Sequence, residues 1–439
     1  MKMGSCIIGL ILAAAAACGH SHASSDTAHA GLQLADTAHR VAAASDSSAR
    51  ISAPTPATPA LSAEDKTFYR AMAKQSLGYL TTYWQSSTGL VNATPDWPNT
   101  TMWDVGAQLL GFHAAKELGL ITDADYDARM TKTLNTLEHM PLYHSAAFSK
   151  LYSTRTGQIS SEGRPGWSAT DLGRFLLALK ILQQREPKYA AQLERIAKRN
   201  DFSQIVKGGY MQGQLIGSNG KPWTFQEGRI GYEQYVANGF AQWGADVGNA
   251  LDVNKNAQPV NVMGVQLLSD SRFQDRLLSE PFVLYGLELG MPGPVEQLAK
   301  NVLAAQEARY KSDGQITMVS EDAVAVPPDY FYYYCVYCTR KPFVVENASS
   351  AAEVSRPKWV STKATFGWNA ILPDAYTQQA RDYVAPALDP AHGWASGVME
   401  GSRASTKTYD INTAAVLLEV ALYELRGSRP LIQAAPVLP

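Results

Sequence analysis

The sequence predicts an all-α fold, an (α/α)6 toroid with long aromatic-rich loops, because two kinds of helical segment alternate along it. Segments of the first kind are apolar on nearly every face, as in the run from Asp171 to Leu182, and other helices must enclose them. Segments of the second kind are amphipathic: in residues 294–310, Val295 and Val302 share an apolar face. Similar amphipathic segments occupy residues 63–84, 124–140, 188–200 and 374–388. The sequence therefore predicts two concentric layers, with six enclosed helices inside about as many amphipathic helices.

The enclosed segments also share a form of opening, in which a carboxylate stands among aromatic, Gly, Ser or Thr residues. The acidic openings lie at Asp104, Asp171, Glu233, Glu280 and Asp410, and a sixth opening has Lys363 in the acidic position. Their spacing runs from 47 residues (233 to 280) to 83 residues (280 to 363), which excludes a solenoid of equal repeats. The long intervals at 141–167, 205–230 and 312–361 contain Gly, Pro and aromatic clusters, and loops of this length inside a compact domain are usually functional or flexible.

Residues 1–23 are typical of an export signal, with Lys2 followed by an apolar run over residues 6–17. That run is too short for a transmembrane helix, which needs about 20 apolar residues. Two cleavage sites remain open. Residues 15–18 form a loose lipobox that would leave Cys18 lipidated, whereas residues 21–23 fit an ordinary signal-peptidase site.

Cysteine usage favours the lipobox. Cys6 leaves with the signal, and Cys335 and Cys338 can pair with each other, so Cys18 is left over. Residues 24–61 are rich in Ala, Ser, Thr and Pro and predict a disordered linker, which leaves residues 62–432 as the toroid domain. We therefore expect an exported protein, in the periplasm or on the outer membrane as a lipoprotein.

The charge balance limits the classes of partner. Lys and Arg number 38, Asp and Glu number 40, and the formal net charge is −2, so nothing favours a nucleic-acid surface. We expect a monomer that binds an oligo- or polysaccharide and contacts a membrane only through the lipid anchor.

The recurrent carboxylates are candidate catalytic groups, although acidic residues at helix starts also serve as caps. Glycosidic cleavage needs one carboxyl to protonate the leaving oxygen and a second to activate water or attack carbon. The predicted catalytic residues are Glu233, Asp171, Asp104 and Glu280. Glu233 is the preferred general acid because its tyrosine neighbours would raise its pKa by desolvation, with Asp171 or Asp104 as base. The wider set of candidates adds Glu162, Glu227, Asp329, Glu400 and Asp410.

Aromatic residues beside these acids are typical of sugar subsites, although most aromatics in proteins are core residues. The predicted substrate-binding residues are Trp103, Trp167, Arg174, Arg229, Tyr232, Trp368 and Asp410. The arginines among them could also hold neighbouring acids ionised.

Other chemistries have weaker support in the sequence. Cys335 and Cys338 have the spacing of half a zinc site, but no second pair or His cluster completes it. In an exported protein this spacing predicts a local disulfide. The sequence has no phosphate loop, Gly-x-Ser-x-Gly elbow or dinucleotide fingerprint, so we expect neither a metal nor an organic cofactor.

Several stretches together resemble the bacterial family catalogued as domain of unknown function 3131. They are TGLV (88–91), MWDVG (102–106), GWSATDLGR (166–174), GRIGYEQY (228–235), SEPF (279–282), STKATFGW (361–368), GW (393–394) and TYDINT (408–413). The resemblance covers about residues 65–427. That family is similar to the glycoamylase-like group and to bacterial β-1,2-glucanases, which are (α/α)6 toroids, so the resemblance implies an envelope or extracellular glucan as substrate. The segment YYYCVYC (332–338) departs from the Asn-rich aromatic loop of the family.

The leading hypothesis is a glycoside hydrolase or transglycosylase that acts on a bacterial envelope glucan or exopolysaccharide. A polysaccharide lyase on the same toroid is the first alternative, since the chain has many Tyr residues that could accept a proton; it would release an unsaturated product. The second alternative is a non-catalytic polysaccharide-binding envelope lipoprotein, which would bind glycan without releasing product.

Overall fold

The computed structural model describes residues 61–432 and 434, apart from 218 and 273. The predicted export signal, Cys18 and the predicted linker up to residue 60 lie outside this part of the chain. The helices are α1 (Ala63–Thr82), α2 (Met102–Glu117), α3 (Asp123–His139), α4 (Ala169–Arg185), α5 (Ala190–Ala197), α6 (Phe202–Ile205), α7 (Tyr232–Ala241), α8 (Gly248–Leu251), α9 (Glu280–Leu289), α10 (Pro294–Asp313), α11 (Thr362–Ile371), α12 (Ala375–Tyr383) and α13 (Ile411–Leu425).

Six helices form the inner layer, and each begins within two residues of a predicted opening. They contact one another in a closed cycle in the order α2, α4, α7, α9, α11, α13 and back to α2. Nearly every residue of these helices is buried, as apolar residues on all faces require. The amphipathic helix α1 packs outside α13 and α2, α3 and α5 pack together outside α2 and α4, and α12 packs outside α11.

Two inner helices approach each other closely because glycines face each other between them. A Cβ on Gly239 of α7 would lie 1.9 Å from the carbonyl oxygen of Gly173 in α4. Only a pair of residues without side chains permits this backbone contact, so these two glycines fix the spacing of α4 and α7 in the ring.

The all-α expectation holds for the helical layers but not for the segments that connect them. Those segments contain short strands: β1 (Asn99–Thr100), β2 (Leu142–Tyr143), β3 (Ala147–Phe148), β4 (Tyr152–Ser153), β5 (Gly166–Trp167), β6 (Val206–Lys207), β7 (Tyr210–Ile216), β8 (Pro222–Gln226), β9 (Ala257–Val262), β10 (Val265–Asp270), β11 (Arg276–Leu277), β12 (Glu321–Ala323), β13 (Phe331–Tyr334), β14 (Tyr337–Cys338), β15 (Lys341–Pro342), β16 (Val345–Asn347), β17 (Glu353–Val354), β18 (Trp359–Ser361), β19 (Leu388–Asp389), β20 (Gly393–Trp394) and β21 (Gly397–Met399). The fold is therefore a two-layer helical array with β-structured loops.

Two of these β elements matter for the site. Strand β7 pairs antiparallel with β8 and with β5, and strands β12, β13, β16 and β17 form a four-stranded sheet. Cys335, just after β13, and Cys338, the last residue of β14, are joined in a disulfide and fully buried. None of the helices in the described part of the chain has the length and apolar character of a membrane span.

Candidate active site

A cavity of about 190 Å³ lies where α2, α4, α7 and α13 begin. Strand β8 and the β12–β13 sheet form its side walls. The carboxylates on its lining are Asp104, Asp171, Glu227, Glu321 and Asp410. The aromatic residues on its lining are Trp97, Trp103, Trp167, Phe225, Tyr232, Tyr330, Phe331 and Tyr333. Aromatic faces and carboxylates around one concave space are suited to a sugar ring, which has apolar faces and hydroxyl edges.

Asp171 stands in the first turn of α4, where the Ser168 hydroxyl accepts a hydrogen bond from its backbone N–H at 3.1 Å. The residue as a whole is 7% exposed, and its Oδ2 atom is buried and has no hydrogen-bond partner among the described residues. Burial raises the pKa of this carboxyl well above its ordinary value, and the charges of Glu227 and Asp104 raise the pKa further. Burial therefore favours the protonated form of the Asp171 carboxyl, and this residue lies on the cavity lining.

Glu227 follows β8 and lies beside Asp171. Its carboxylate accepts hydrogen bonds from the backbone N–H of Ala169 and from the hydroxyls of Ser168 (3.0 Å) and Thr170 (3.3 Å). Burial raises the pKa of Glu227, whereas these bonds lower it by stabilising the charged form. Glu227 is thus a hydrogen-bond acceptor bound to the start of α4, next to Asp171.

The position of Glu227 depends on Gly213 in strand β7. A Cβ at residue 213 would lie 2.6 Å from Glu227 Oε2 and 2.9 Å from Phe225 Cζ. We expect Gly213→Ala to push the carboxylate aside and to lower the free energy of unfolding by about 1–3 kcal/mol. Gly78→Ala is the matched control because nothing lies within 4 Å of its added Cβ, and we expect no such loss. Equal stability of the two variants in denaturant unfolding would contradict this position of Glu227.

Asp104 and Asp410 lie on the part of the cavity formed by α2 and α13. Asp104 accepts hydrogen bonds from the N–H and hydroxyl of Thr101, both at 2.9 Å, and from Asn412 Nδ2 at 3.0 Å. Burial raises the pKa of Asp104 to about 6, although the Thr101 bonds oppose the shift. Asp410 caps α13 through the N–H of Thr413 at 2.7 Å. Both acids therefore cap helices and line the cavity at the same time.

Glu321 and Lys150 are among the cavity residues that the sequence did not indicate. Glu321 accepts a hydrogen bond from the Tyr232 hydroxyl at 2.7 Å, and burial together with the charge of Glu280 raises its pKa to about 7. Lys150 is 5% exposed, and its Nζ atom has no hydrogen-bond partner among the described residues. Both residues lie in the segments that connect the helices, away from the acidic helix openings that supplied the candidate residues. Glu321 is placed at the cavity by pairing of β12 with β13, where it lies opposite Tyr333, and the sequence does not display that pairing.

The structure places Glu233, the preferred general acid, outside the cavity lining. Its carboxylate is 1% exposed and bound by the Arg272 guanidinium at 2.6 and 3.1 Å and by Gln226 Nε2 at 2.8 Å. Arg272 also binds Asp270. This arrangement is a buried ion-pair network that fixes the start of α7.

Glu280 also lies outside the cavity lining, bound to Lys363 Nζ at 2.6 Å. Lys363 lies 3.6 Å from Asp322, which accepts a hydrogen bond from Trp359 Nε1 at 2.7 Å. The lysine in the sixth opening therefore neutralises the acid of the neighbouring opening, since α9 and α11 are in contact. The four predicted catalytic acids divide into two that line the cavity and two held in ion pairs, and their catalytic roles stay predictions.

The predicted substrate-binding residues divide in a similar way. Trp103, Trp167, Tyr232, Arg229 and Asp410 line the cavity. Arg174 and Trp368 do not line it and are fully buried. Arg174 lies 3.6 Å from Glu288 and 3.5 Å from Glu419, and its guanidinium is 4.9 Å from the ring centre of Trp103. It therefore supports an aromatic residue of the cavity from inside the helical ring.

The remaining acids of the wider set lie at other contacts. Glu162 accepts a hydrogen bond from Trp97 Nε1, and Glu400 is paired with Arg309 at 2.9 Å. Asp329 accepts a hydrogen bond from the N–H of Tyr330 in the loop before β13.

One group of described residues has metal-ligand spacing, and it lies away from the cavity. His113, Glu117 and Glu186 have ligand atoms within 4.8 Å of one another, near the end of α2 opposite Asp104. Lys116 Nζ already binds both oxygens of Glu186, at 2.7 and 2.9 Å. The ammonium of Lys116 already neutralises Glu186 and would repel a metal cation, so this group is a poor metal site.

The sequence pattern of the family described as "Protein of unknown function (DUF3131)" matches residues 71–427. None of the curated proteins matches the chain. An endo-β-1,2-glucanase from Chitinophaga pinensis, solved with sophorotriose and glucose, superposes with a TM-score of 0.62 at 13% identity, over 84% of this chain and 94% of that one. A candidate glucoamylase from Bacteroides caccae gives 0.61 at 13% identity, over 83% and 94%. The endo-β-1,2-glucanase from Talaromyces funiculosus, solved with sophorose, gives 0.55 at 12% identity, over 81% and 84%. At these identities the likeness establishes a shared fold.

Proposed function

From the premise that this chain belongs to the DUF3131 family, we propose that it is a glycoside hydrolase that cleaves a β-linked glucan. The observation that carries the proposal is the position of Asp171, a buried carboxyl with an unpaired oxygen and a raised pKa, on an aromatic cavity lined by four other carboxylates. The closed cycle of inner helices and the fold shared with glucanases support an (α/α)6 toroid around that cavity.

Within this proposal the general-acid role passes from Glu233 to Asp171. Asp171 donates its proton to the glycosidic oxygen as the bond between that oxygen and the anomeric carbon breaks. Asp104 is the second carboxylate and takes a proton from the attacking water, with Thr101 and Asn412 holding it in place. The water oxygen ends on the anomeric carbon, so each cleavage adds one reducing end.

The remaining groups of the cavity bind the sugar. Trp103, Trp167 and Tyr232 supply aromatic surface for sugar faces, and the Lys150 ammonium donates hydrogen bonds to hydroxyl oxygens. Lys150 Nζ is buried and has no hydrogen-bond partner among the described residues, so a sugar hydroxyl that reached it would supply one. The charge of Lys150 also lowers the pKa of Glu227, which favours the ionised form of that acid, whereas burial favours the protonated form of Asp171.

β-1,2-Glucan is the proposed substrate because two proteins of the same fold are endo-β-1,2-glucanases solved with sophorotriose or sophorose. The test is incubation of the purified protein with β-1,2-glucan and a panel of other glucans, with reducing ends measured over time. We expect new reducing ends from β-1,2-glucan. An ultraviolet-absorbing unsaturated product would indicate a lyase, and binding without product would indicate a non-catalytic glycan receptor. Longer products in the presence of acceptor sugars would indicate transglycosylation.

The pH dependence follows from the two carboxyls. The base Asp104 must be ionised, so kcat/KM should fall as the pH drops through about 6. The acid Asp171 must be protonated, so kcat/KM should fall again on the alkaline side, above the ordinary range of an aspartate, because burial raises its pKa. A kcat/KM profile measured from pH 4 to pH 10 checks both limbs. Activity that stays constant down to pH 4 would exclude Asp104 as the base.

A further inference from the structure

Strand β8 has a row of side chains that continues beyond the cavity. Trp223, Phe225 and Glu227 alternate along the strand and its extension, so all three point to the same face of the β7–β8 hairpin. Phe225 and Glu227 line the cavity, whereas Trp223 lies outside its lining. The row therefore leads from the carboxylate outward to the surface.

Trp223 is unusual among the described residues because a large aromatic ring is left exposed. Its relative exposure is 36%, and the other exposed large apolar residues are Met263 and Leu388. The Trp223 ring stacks on Phe225, with ring centres 4.7 Å apart and planes 27° from parallel. The exposed ring is thus held in a fixed orientation and is continuous with the aromatic lining of the cavity.

The partner strand keeps this face flat. Gly213 lies opposite Phe225 and Leu215 lies opposite Trp223, and Leu215 also lines the cavity. Since two residues of a strand advance about 6.7 Å, Trp223 lies about 13 Å along the strand from Glu227. One sugar ring cannot fill the cavity and also reach Trp223, whereas a longer chain can.

We propose that Trp223 and Phe225 form an outer sugar-binding subsite that holds the part of a glycan chain extending from the cavity. The ligand is a neutral glucan chain, because the rings offer apolar faces to sugar rings and no charge to a substituent. The subsite makes the enzyme prefer long chains over short ones. This inference rests on the proposed function.

The test compares a long β-1,2-glucan with a short β-1,2-oligosaccharide as substrates of Trp223→Ala. We expect KM for the long chain to rise about tenfold, with kcat and the KM for the short substrate unchanged. Trp223→Phe should recover most of the loss because it keeps an aromatic face. Leu388→Ala is the matched control, since Leu388 is 37% exposed and does not line the cavity, and it should behave as the wild type.

A binding measurement separates failure of the subsite from failure of the proposed function. Migration of each variant is measured in native gels that contain β-1,2-glucan, which requires no cleavage. Weaker retardation of Trp223→Ala than of Leu388→Ala supports the subsite even if the wild type proves inactive. Equal retardation, or equal KM values for the long chain, overturns the subsite and leaves the hydrolase proposal standing if the wild type cleaves the glucan.

Discussion

Asp171→Asn is expected to lower kcat on β-1,2-glucan by about 10³-fold, at the middle of the range for loss of a general acid. The substitution keeps the shape of the side chain but removes the proton that the leaving oxygen needs. In the variant the backbone N–H of residue 171 still donates its hydrogen bond to the Ser168 hydroxyl, because this helix-capping bond does not involve the carboxyl. The thermal unfolding midpoint should therefore stay near that of the wild type, and affinity for the glucan should be retained.

Glu233→Gln is the matched control for this loss, because it changes a carboxylate to an amide at the start of the adjacent inner helix. Its bond to Arg272 would weaken, so we expect a lower unfolding midpoint and a kcat within a few fold of the wild type. Together the two variants test whether the general acid is Glu233, as expected from the sequence, or Asp171, as proposed from the cavity. If Glu233→Gln loses activity as Asp171→Asn does while remaining folded, Glu233 regains the general-acid role.

The ring of helices could be predicted because the signals are local. An amphipathic pattern at 294–310 became α10 (Pro294–Asp313), and the pattern at 63–84 became α1 (Ala63–Thr82). The opening at Asp171 corresponds to an α4 that begins at Ala169. Periodicity and capping depend on neighbours within a few residues, which the sequence displays directly. The strands in the loops were missed. Most of them have only two or three residues, which are too few to show an alternating pattern, although β7, β8, β9 and β10 have five to seven.

The roles of the acids could not be predicted because their partners are distant in sequence. Glu280 and Glu233 stand at openings that look like that of Asp171, but Lys363 and Arg272 neutralise them from other elements. Arg174 was predicted to contact substrate, but it lies in an enclosed helix and its side chain is fully buried inside the ring of helices. Periodicity shows that a residue is enclosed, but not whether a cavity or another charge lies beside it.

The buried position of Lys363 leads to the largest expected effect on stability. Lys363→Met is expected to lower the free energy of unfolding by about 3–5 kcal/mol, because it leaves Glu280 and Asp322 buried without their cation. The control is Lys300→Met, which removes an equally short but exposed ion pair with Glu296 and should cost less than about 1 kcal/mol. Denaturant unfolding of both variants at pH 8 measures the difference, and equal losses would contradict it.

The pH dependence of that loss provides a second check with a definite sign. Burial raises the pKa of Asp322 to about 7, and the charge of Lys363 opposes this shift. The folded protein therefore binds a proton at Asp322 that the unfolded chain releases above about pH 4, so this group costs stability as the pH rises towards 7. Removing Lys363 extends the pH range over which Asp322 costs stability upward, so the loss of stability in Lys363→Met should be larger at pH 8 than at pH 5.

Adding Glu280→Gln to Lys363→Met should recover part of the loss at pH 8, because one of the two uncompensated charges is then absent. A double variant less stable than Lys363→Met alone would mean that the carboxylate of Glu280 is held by contacts other than the lysine.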